Sequence, residues 1–464
     1  MKNSYSLSTF ILILFFSLLD STRADLVDGC IEAHMRDLHI PGLSLAVVRN
    51  GQIIKAQGYG LADMELNVKA MTNTVYEIGS LTKQFTAVAI MMLIEEGKLN
   101  LDDRMSKFLT NVPLSWDSIT IRQLLNHSSG IQNYLAVPAF PDIHHEGLSH
   151  DNITKLFFEK LQLEFQPGET WAYTNSGYLL LGNIIEKLSG MSYWEFLDNR
   201  IFTPLGMSAT RSSDPNAIIP DRASGYQWCE TGFENRPALA ENAYAAGAIV
   251  STVLDMAKWD AALYPEELLT KSSLSEMWTP AKAVDGTPFP FNYGFGWFVD
   301  QYRGHRVISH GGGTPGFSSV IYRFVDYGLT VIVLSNHADR IIDQLAIDVA
   351  GIYLPVFARP SILEIDTEQG TSQILRNTIV DLFEGKTNQS LFTPAMQIFL
   401  NTATGKGIWE WVSSDGDLKS FVFAELEEAG GTRILRYRAI LGNVTHWFSF
   451  TMTSDRQIAQ VNWW

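Results

Sequence analysis

Within residues 25–354, most segments with strand character fall into two blocks that lie far apart in the chain. The first is a pair of apolar-rich runs around Asn50-Gly51, a dipeptide that favours a tight β-hairpin turn. The second comprises residues 306–310, 316–324 and 329–336. Helical periodicity covers 26–38, 80–96, 119–126, 152–163, 176–188, 252–263 and 339–353. This order predicts an α+β fold, in which one central antiparallel β-sheet is flanked by helices and stands beside an all-helical lobe.

The pattern of predicted helices and strands changes after Pro355 and Pro360-Ser361, which are typical of a linker. A helix is predicted over 371–383. Successive strands are predicted over 409–414, 420–429, 433–441, 446–454 and 457–464. We therefore expect a first domain at 25–354 and a small C-terminal α+β domain with an antiparallel sheet at 361–464.

The first 24 residues have the features of a secretory signal peptide. Lys2 precedes an apolar run, and small residues at Thr22 and Ala24 suit cleavage after Ala24. The alternative is a membrane anchor, but the run is shorter than the roughly 20 apolar residues that cross a bilayer. We therefore predict a secreted or periplasmic protein with no stable membrane span after the signal is cleaved.

Charge and cysteine content exclude several classes of protein. The 464 residues carry a formal net charge of −16, which is unsuited to binding nucleic acid through its phosphates. Two cysteines are too few for a disulfide-stapled miniprotein or a four-cysteine zinc site. An oxidising compartment would permit Cys30 and Cys229 to pair, and two separate buried thiols are equally compatible with the sequence.

Ser80-Leu81-Thr82-Lys83 is the first candidate for chemistry, because it follows a predicted strand at 74–79 and opens an apolar helix. A three-residue spacing places Ser80 and Lys83 on one face of the helix, one turn apart. In a desolvated pocket the lysine pKa falls, and the neutral amine can accept the serine proton. The alternative is a serine helix cap with a lysine that reaches out to solvent.

Tyr173-Thr174-Asn175 is the second candidate and lies just before a predicted helix. In an extended segment, alternation places Tyr173 and Asn175 on one side. A phenol near a lysine can relay a proton, and an amide can orient an acyl group. The alternative is a half-buried tyrosine beside an asparagine cap.

Residues 309–313, Ser-His-Gly-Gly-Gly at a strand end, are the third candidate. Glycine permits close approach of the main chain to a ligand, and unpaired strand N–H groups can form an oxyanion hole. His310 offers a titratable group at the pocket rim. The alternative is a glycine-rich loop with an ordinary histidine.

These three motifs, in this order, resemble the serine β-lactamase-like and penicillin-binding DD-peptidase superfamily. The resemblance is strongest to its class C β-lactamase and D-alanyl-D-alanine carboxypeptidase/esterase branch. It covers about residues 27 to 350 and includes four further segments: 121–131, 166–190, 245–252 and 309–319. It implies a central antiparallel sheet, a helical lobe and a site between them.

The resemblance also implies a role for each residue. Ser80 would be the acylated nucleophile and Lys83 its general base, while Tyr173 would assist proton transfer to the leaving group. Asn175, His310 and Gly312 would bind substrate. The main-chain N–H groups of Ser80 and Gly313 would form the oxyanion hole.

His310-Gly311-Gly312 stands where β-lactamases carry Lys-Thr-Gly. The change removes a permanent cation and a hydroxyl that would bind a substrate carboxylate, a charged hydrogen bond of roughly 1.5–3 kcal/mol. Histidine at this position resembles the peptidase, D-amino-acid amidase and esterase members, which residue spacing does not separate. β-Lactamase activity stays as an alternative.

No metal or cofactor site is predicted. His144, His145 and His150 lack the spacing of a zinc-peptidase helix, and the phosphate-loop pattern Gly-x-x-x-x-Gly-Lys-Ser/Thr is absent from the sequence. The absence of Gly-x-Ser-x-Gly argues against an α/β-hydrolase.

Two functional hypotheses follow. The first is a secreted serine hydrolase that acts on a small-molecule or peptide substrate: a D-amino-acid peptide, a peptidoglycan stem fragment or a small ester. The second is a penicillin-recognising sensor or scaffold that acylates slowly or not at all, with the C-terminal module making the functional contacts. Nothing in the sequence predicts the oligomeric state.

Overall fold

The fold is seen in a computed structural model. It describes residue 23 and residues 25–137, 150–229, 231–236, 240–264, 267–283, 286–338, 342–359, 365–429 and 432–463. The predicted signal peptide therefore lies almost entirely outside the described residues. No helix among the described residues combines the length and the apolar character that a membrane crossing requires.

The described residues form four β-sheets. Their strands are β1 (Gly42–Arg49), β2 (Gln52–Asp63), β3 (Val68–Lys69), β4 (Tyr76–Glu77), β5 (Arg211–Ser212), β6 (Tyr226–Cys229), β7 (Gly232–Asn235), β8 (Ile249–Ser251), β9 (Phe298–Tyr302), β10 (His305–Thr314), β11 (Phe317–Phe324), β12 (Leu329–Ser335), β13 (Leu418–Ala429), β14 (Thr432–Leu441), β15 (Val444–Met452) and β16 (Ile458–Trp463). The largest sheet has the order β3-β2-β1-β12-β11-β10-β9, and the C-terminal sheet has the order β13-β14-β15-β16.

The central sheet joins the two predicted strand blocks, as expected. Asn50 and Gly51 turn the β1–β2 hairpin with positive φ angles of 50° and 76°. β1 then pairs antiparallel with β12, with Leu43 opposite Ser335. Because nearly every residue of β1 and β12 is buried, both faces of the sheet are covered.

Helices cover the sheet and build the lobe. They are α1 (25–37), α2 (Thr82–Glu95), α3 (Ile121–Leu125), α4 (His150–Lys160), α5 (Asn175–Ser189), α6 (Tyr193–Leu197), α7 (Val253–Ala262), α8 (Lys271–Met277), α9 (Ile342–Tyr353), α10 (Gln369–Phe383), α11 (Pro394–Asn401) and α12 (Ala403–Ser413). One sheet face packs on α1 and α9, and the other shares a core with α2, α5 and α7. The α+β fold with a helical lobe is confirmed.

α2 differs from its prediction in one respect. The sequence indicated one broad apolar face, whereas every residue from Thr82 to Leu93 is buried. The helix lies inside the domain, in contact with α5, α6 and the 3₁₀ segment Ala240–Ala246. Its polar side chains are therefore enclosed by protein.

The C-terminal module contains the predicted helix at α10 and the four strands β13 to β16. The strand predicted over 409–414 is wrong, because these residues lie almost entirely in α12. Gly405, Trp409 and Val412 are buried at helical spacing, and Thr402 caps the helix by accepting from the Gly405 N–H. Tryptophan suits a strand and a buried helix face equally well, so composition misled the prediction.

The predicted linker begins with a packed turn. Residues Pro355–Phe357 form a 3₁₀ turn, and the Phe357 ring is buried against Phe324 at a centroid distance of 4.5 Å. Residues 360–364 lie outside the described ranges. Cys30 and Cys229, whose pairing the sequence left open, are both free thiols.

A fully buried ion pair joins α7 to the central sheet. Arg323 Nε donates to Asp260 Oδ1 at 2.7 Å, and Thr330 Oγ1 donates to the same oxygen at 2.9 Å. The Arg323 guanidinium also lies over the rings of Tyr264 and Trp278, at 4.6 and 4.9 Å from their centroids. Removing either partner would leave the other charge buried without compensation.

We therefore expect Asp260→Ala to lower the free energy of unfolding by about 3–5 kcal/mol, as for other broken buried pairs. The measurement is urea unfolding followed by tryptophan fluorescence. Asp102→Ala is the control, because it removes an exposed pair with Arg122 and should cost no more than about 1 kcal/mol. Equal losses in the two variants would contradict a structural role for the buried pair.

Candidate active site

Ser80 lies in a short turn that two sheets hold in place. β4 ends at Glu77, residues Gly79–Leu81 form a 3₁₀ turn, and α2 follows directly. The Ile78 N–H donates to the Ile249 carbonyl at 3.0 Å, and Ser319 Oγ donates to the Ile78 carbonyl at 2.8 Å. The half-buried Ser80 is thus fixed relative to both β8 of the three-stranded sheet and β11 of the central sheet.

Lys83 makes the contact with Ser80 that the sequence predicted. Its Nζ lies 2.9 Å from Ser80 Oγ, 2.7 Å from Asn175 Oδ1 and 2.8 Å from the Ala246 carbonyl oxygen. The side chain is fully buried, and this burial holds the pKa of Lys83 well below its ordinary value. Among the residues that the structure describes, no carboxylate is a hydrogen-bond partner of Nζ.

Tyr173 and Asn175 reach the same amine from the start of α5. Thr174 is extended and caps α5, since its Oγ1 accepts from the Ser176 N–H at 3.2 Å. Asn175 is the first residue of the helix. The centroid of the Tyr173 ring lies 4.7 Å from Lys83 Nζ. The structure therefore brings Ser80, Lys83, Tyr173 and Asn175 together.

The glycines of β10 permit its close approach to the Ser80 turn. Gly79 has a φ of +49°, and a Cβ there would lie 2.7 Å from the Gly313 nitrogen. A Cβ on Gly312 would lie 2.1 Å from the Ile78 carbonyl oxygen, so Gly312 packs against the turn. β9 pairs with β10 only as far as Ser309. The main chain at Gly313 therefore has no β9 partner where it passes Gly79.

His310 is placed differently from its prediction at the pocket rim, because its ring is buried. Its Nδ1 lies 2.6 Å from the Gly311 carbonyl oxygen, and its Nε2 lies 2.9 Å from Tyr293 Oη. A carbonyl only accepts, so Nδ1 carries the hydrogen and Nε2 accepts from the phenol. Burial, with a contribution from Lys83, lowers the pKa of His310 to about 3. The imidazole is therefore neutral at physiological pH.

Three further site residues escaped the sequence analysis. His127 lies with its ring 4.4 Å from the Tyr173 ring, and its Nδ1 accepts from the Thr174 N–H at 3.3 Å. The Tyr293 hydroxyl donates to His310 Nε2, and the Ala246 carbonyl accepts a hydrogen bond from Lys83 Nζ. The segments 121–131 and 245–252 carried part of the resemblance, but no motif indicated that His127 or Ala246 contacts the site.

The three histidines that were considered as metal ligands and rejected lie largely outside the described residues. His144 and His145 are not described, and nothing is described of the His150 side chain.

Comparison with known proteins agrees with the geometry. The profile of the beta-lactamase family matches residues 27–348. The chain belongs to the beta-lactamase family. This confirms the predicted serine β-lactamase-like and penicillin-binding DD-peptidase superfamily, and the homologues found are serine hydrolases. The family match ends before the C-terminal module begins.

Two curated proteins illustrate the relationship. Penicillin-binding protein 4* of Bacillus subtilis (strain 168) is 33% identical over 309 residues, which are 63% of this chain and 67% of that protein. Protein flp of Staphylococcus aureus (strain COL) is 29% identical over 325 residues, which are 69% of this chain and 64% of that protein. The chain thus spans about two thirds of the length of these relatives.

Two solved structures share the fold. The D-amino acid amidase from Ochrobactrum anthropi SV3, complexed with L-phenylalanine, is 25% identical with a TM-score of 0.63, covering 72% of this chain and 99% of its own. The octameric penicillin-binding protein homologue from Pyrococcus abyssi is 24% identical with a TM-score of 0.63, covering 93% of this chain and 96% of its own. The second similarity bears on the fold alone.

Proposed function

We propose that this protein cleaves an amide or ester through an acyl-enzyme on Ser80, with Lys83 as the general base. The observation that carries the proposal is the contact of 2.9 Å between Ser80 Oγ and a fully buried Lys83 amine. Family membership supports the reaction class.

The hydrogen bonds of Lys83 suit a neutral amine. Such an amine has two hydrogens and one lone pair. The Ala246 carbonyl and Asn175 Oδ1 can only accept hydrogen bonds, so they take the two hydrogens. The lone pair is then directed at Ser80 Oγ, where it can accept the hydroxyl proton.

The remaining steps use groups beside this pair. Ser80 Oγ forms a bond to the substrate carbonyl carbon while its proton passes to Lys83. The N–H groups of Ser80 and Gly313 stabilise the resulting oxyanion. The bond to the leaving amine or alcohol then breaks, and Tyr173 assists the return of the proton to that group. Water cleaves the acyl-enzyme by the same route.

The neutral His310 favours substrates without a carboxylate at this position. Relatives with lysine there hold a permanent cation, whereas His310 has both nitrogens engaged and a pKa of about 3. A substrate carboxylate would gain no ionic contact from His310. Together with the similarity to a D-amino acid amidase, this supports neutral D-amino-acid amides, amidated peptides or small esters as substrates.

Secretion through cleavage of residues 1–24 and the domain limits 25–354 and 361–464 are part of the same proposal. A secreted or periplasmic enzyme would meet D-amino-acid compounds such as peptidoglycan stem fragments.

The nucleophile can be tested by covalent labelling. A fluorescent fluorophosphonate should label the full chain, and Ser80→Ala should abolish labelling. Lys83→Met should slow it by about 10² to 10⁴-fold, the usual contribution of a general base. Ser275→Ala, which changes an exposed serine, is the matched control. Labelling that persists in a folded Ser80→Ala variant would refute the assignment.

The labelling rate should also depend on pH in one direction. Burial lowers the pKa of Lys83 from its ordinary 10.5, so the amine loses its basic form only as the pH falls through the lowered value. We expect the labelling rate to fall as the pH drops through the lowered pKa of Lys83. The rate should stay constant as the pH passes the ordinary lysine pKa of 10.5. A rate that still rises through that range would show that Lys83 has an ordinary pKa.

Substrate charge can be tested with a matched peptide pair. A peptide that ends in D-alanyl-D-alanine should be cleaved no faster with a free carboxylate than with a carboxamide. D-Phenylalaninamide extends the comparison to single amino-acid amides. A preference of about tenfold or more for the carboxylate, the size of one charge-assisted hydrogen bond, would contradict the neutral His310 site.

A further inference from the structure

Two stretches that carry site residues also contact the C-terminal module. The first is 170–174, which contains Tyr173. The second is 289–293, which ends with the Tyr293 that holds His310. Neither stretch has a helix or a ladder of strand pairs of its own. Their positions therefore depend on contacts with other parts of the chain.

The first stretch lies between His127 and α12. On one side, the Ala172 N–H donates to the His127 carbonyl at 3.1 Å. On the other side, Thr404 Oγ1 donates to the Tyr173 carbonyl at 3.1 Å. Thr170 Oγ1 donates to the Ala395 carbonyl in α11 at 2.9 Å, which adds a second buried contact with the module.

The second stretch is held by β16 and α11. Gln460 Nε2 donates to the Phe289 carbonyl at 3.1 Å and to Asn292 Oδ1 at 3.0 Å. The Phe291 ring lies edge-on to Phe399, with a centroid distance of 5.3 Å. Tyr293 is the next residue after Asn292, and its hydroxyl donates to His310 Nε2.

Both stretches share one hydrophobic core with the module. Trp171, Phe291 and Tyr293 are buried in the same cluster as residues of α10, α11, α12 and the C-terminal sheet. An ion pair at the same interface, Arg303 with Glu425, has an N–O distance of 2.7 Å. The module is therefore packed into the wall behind the site.

We propose that the C-terminal module is a working part of the active site and that Thr404 is a positioning residue for Tyr173. Its hydroxyl holds the Tyr173 carbonyl, which keeps the ring beside the Lys83 amine. Thr404 touches no reacting atom and acts through Tyr173. This inference rests on the proposed serine hydrolase activity and adds a function for residues that the beta-lactamase family match does not cover.

The test compares three variants of the full chain. Thr404→Val keeps the shape and removes the hydroxyl, Thr404→Ser restores the hydroxyl, and Thr387→Val changes an exposed threonine of the same module. The first readout is kcat/KM with D-phenylalaninamide or p-nitrophenyl acetate, together with the fluorophosphonate labelling rate. The second is hydrogen–deuterium exchange of the peptide containing 170–174, which needs no activity.

We expect Thr404→Val to lower kcat/KM and labelling by about three- to tenfold, the size of one lost hydrogen bond. In Thr404→Val, hydrogen–deuterium exchange in 170–174 should become faster. The midpoint of thermal unfolding of Thr404→Val should equal that of Thr387→Val. Thr404→Ser should restore both the rate and the exchange protection.

The inference is overturned if Thr404→Val matches Thr387→Val in rate and in exchange. It is also overturned if Thr404→Ser, which keeps the hydroxyl, is as impaired as Thr404→Val, because the hydroxyl would then not be the group that sets the rate and the exchange protection. If the wild type has no activity and no Ser80 labelling, the proposed function fails. Exchange in 170–174 then still decides whether Thr404 holds this stretch.

Discussion

The site depends on an amine that is held without a compensating charge. Lys83 is enclosed on all sides, and its three polar contacts are a hydroxyl, an amide oxygen and a main-chain carbonyl. Because such an environment disfavours the ammonium form, burial lowers the pKa of Lys83 well below its ordinary value. This enclosure is part of the burial of α2 from Thr82 to Leu93.

The strand beside Ser80 adds the second constraint, which is close approach of two main chains. Gly79 adopts a positive φ and leaves no room for a side chain before Gly313. The histidine that precedes these glycines is turned inward and bonded to Tyr293, so it shapes the strand and leaves no net charge in the site. The pocket therefore differs electrostatically from one with lysine at that position.

The walls of the site come from both parts of the protein. Residues of the helical lobe and the central sheet bring the reacting groups together, and α11, α12 and β16 hold the irregular stretches behind them. A shared hydrophobic core, with Trp171 among its members, makes this contact an extension of the protein interior. The C-terminal module is accordingly better understood as support for the site than as a separate unit on a linker.

The sequence by itself determined what depends on near neighbours: the Asn50-Gly51 hairpin, the two strand blocks and the three-residue spacing that joins Ser80 to Lys83. It failed over 409–414, where aromatic residues suit a strand and a buried helix face equally. Only the tertiary structure decided three hydrogen bonds: from Lys83 to the Ala246 carbonyl, from the Tyr293 hydroxyl to His310, and from the Thr404 hydroxyl to the Tyr173 carbonyl. These partners lie 163, 17 and 231 residues apart along the chain, and contacts at such separations depend on how whole elements pack. Local propensity and periodicity carry no information about that packing.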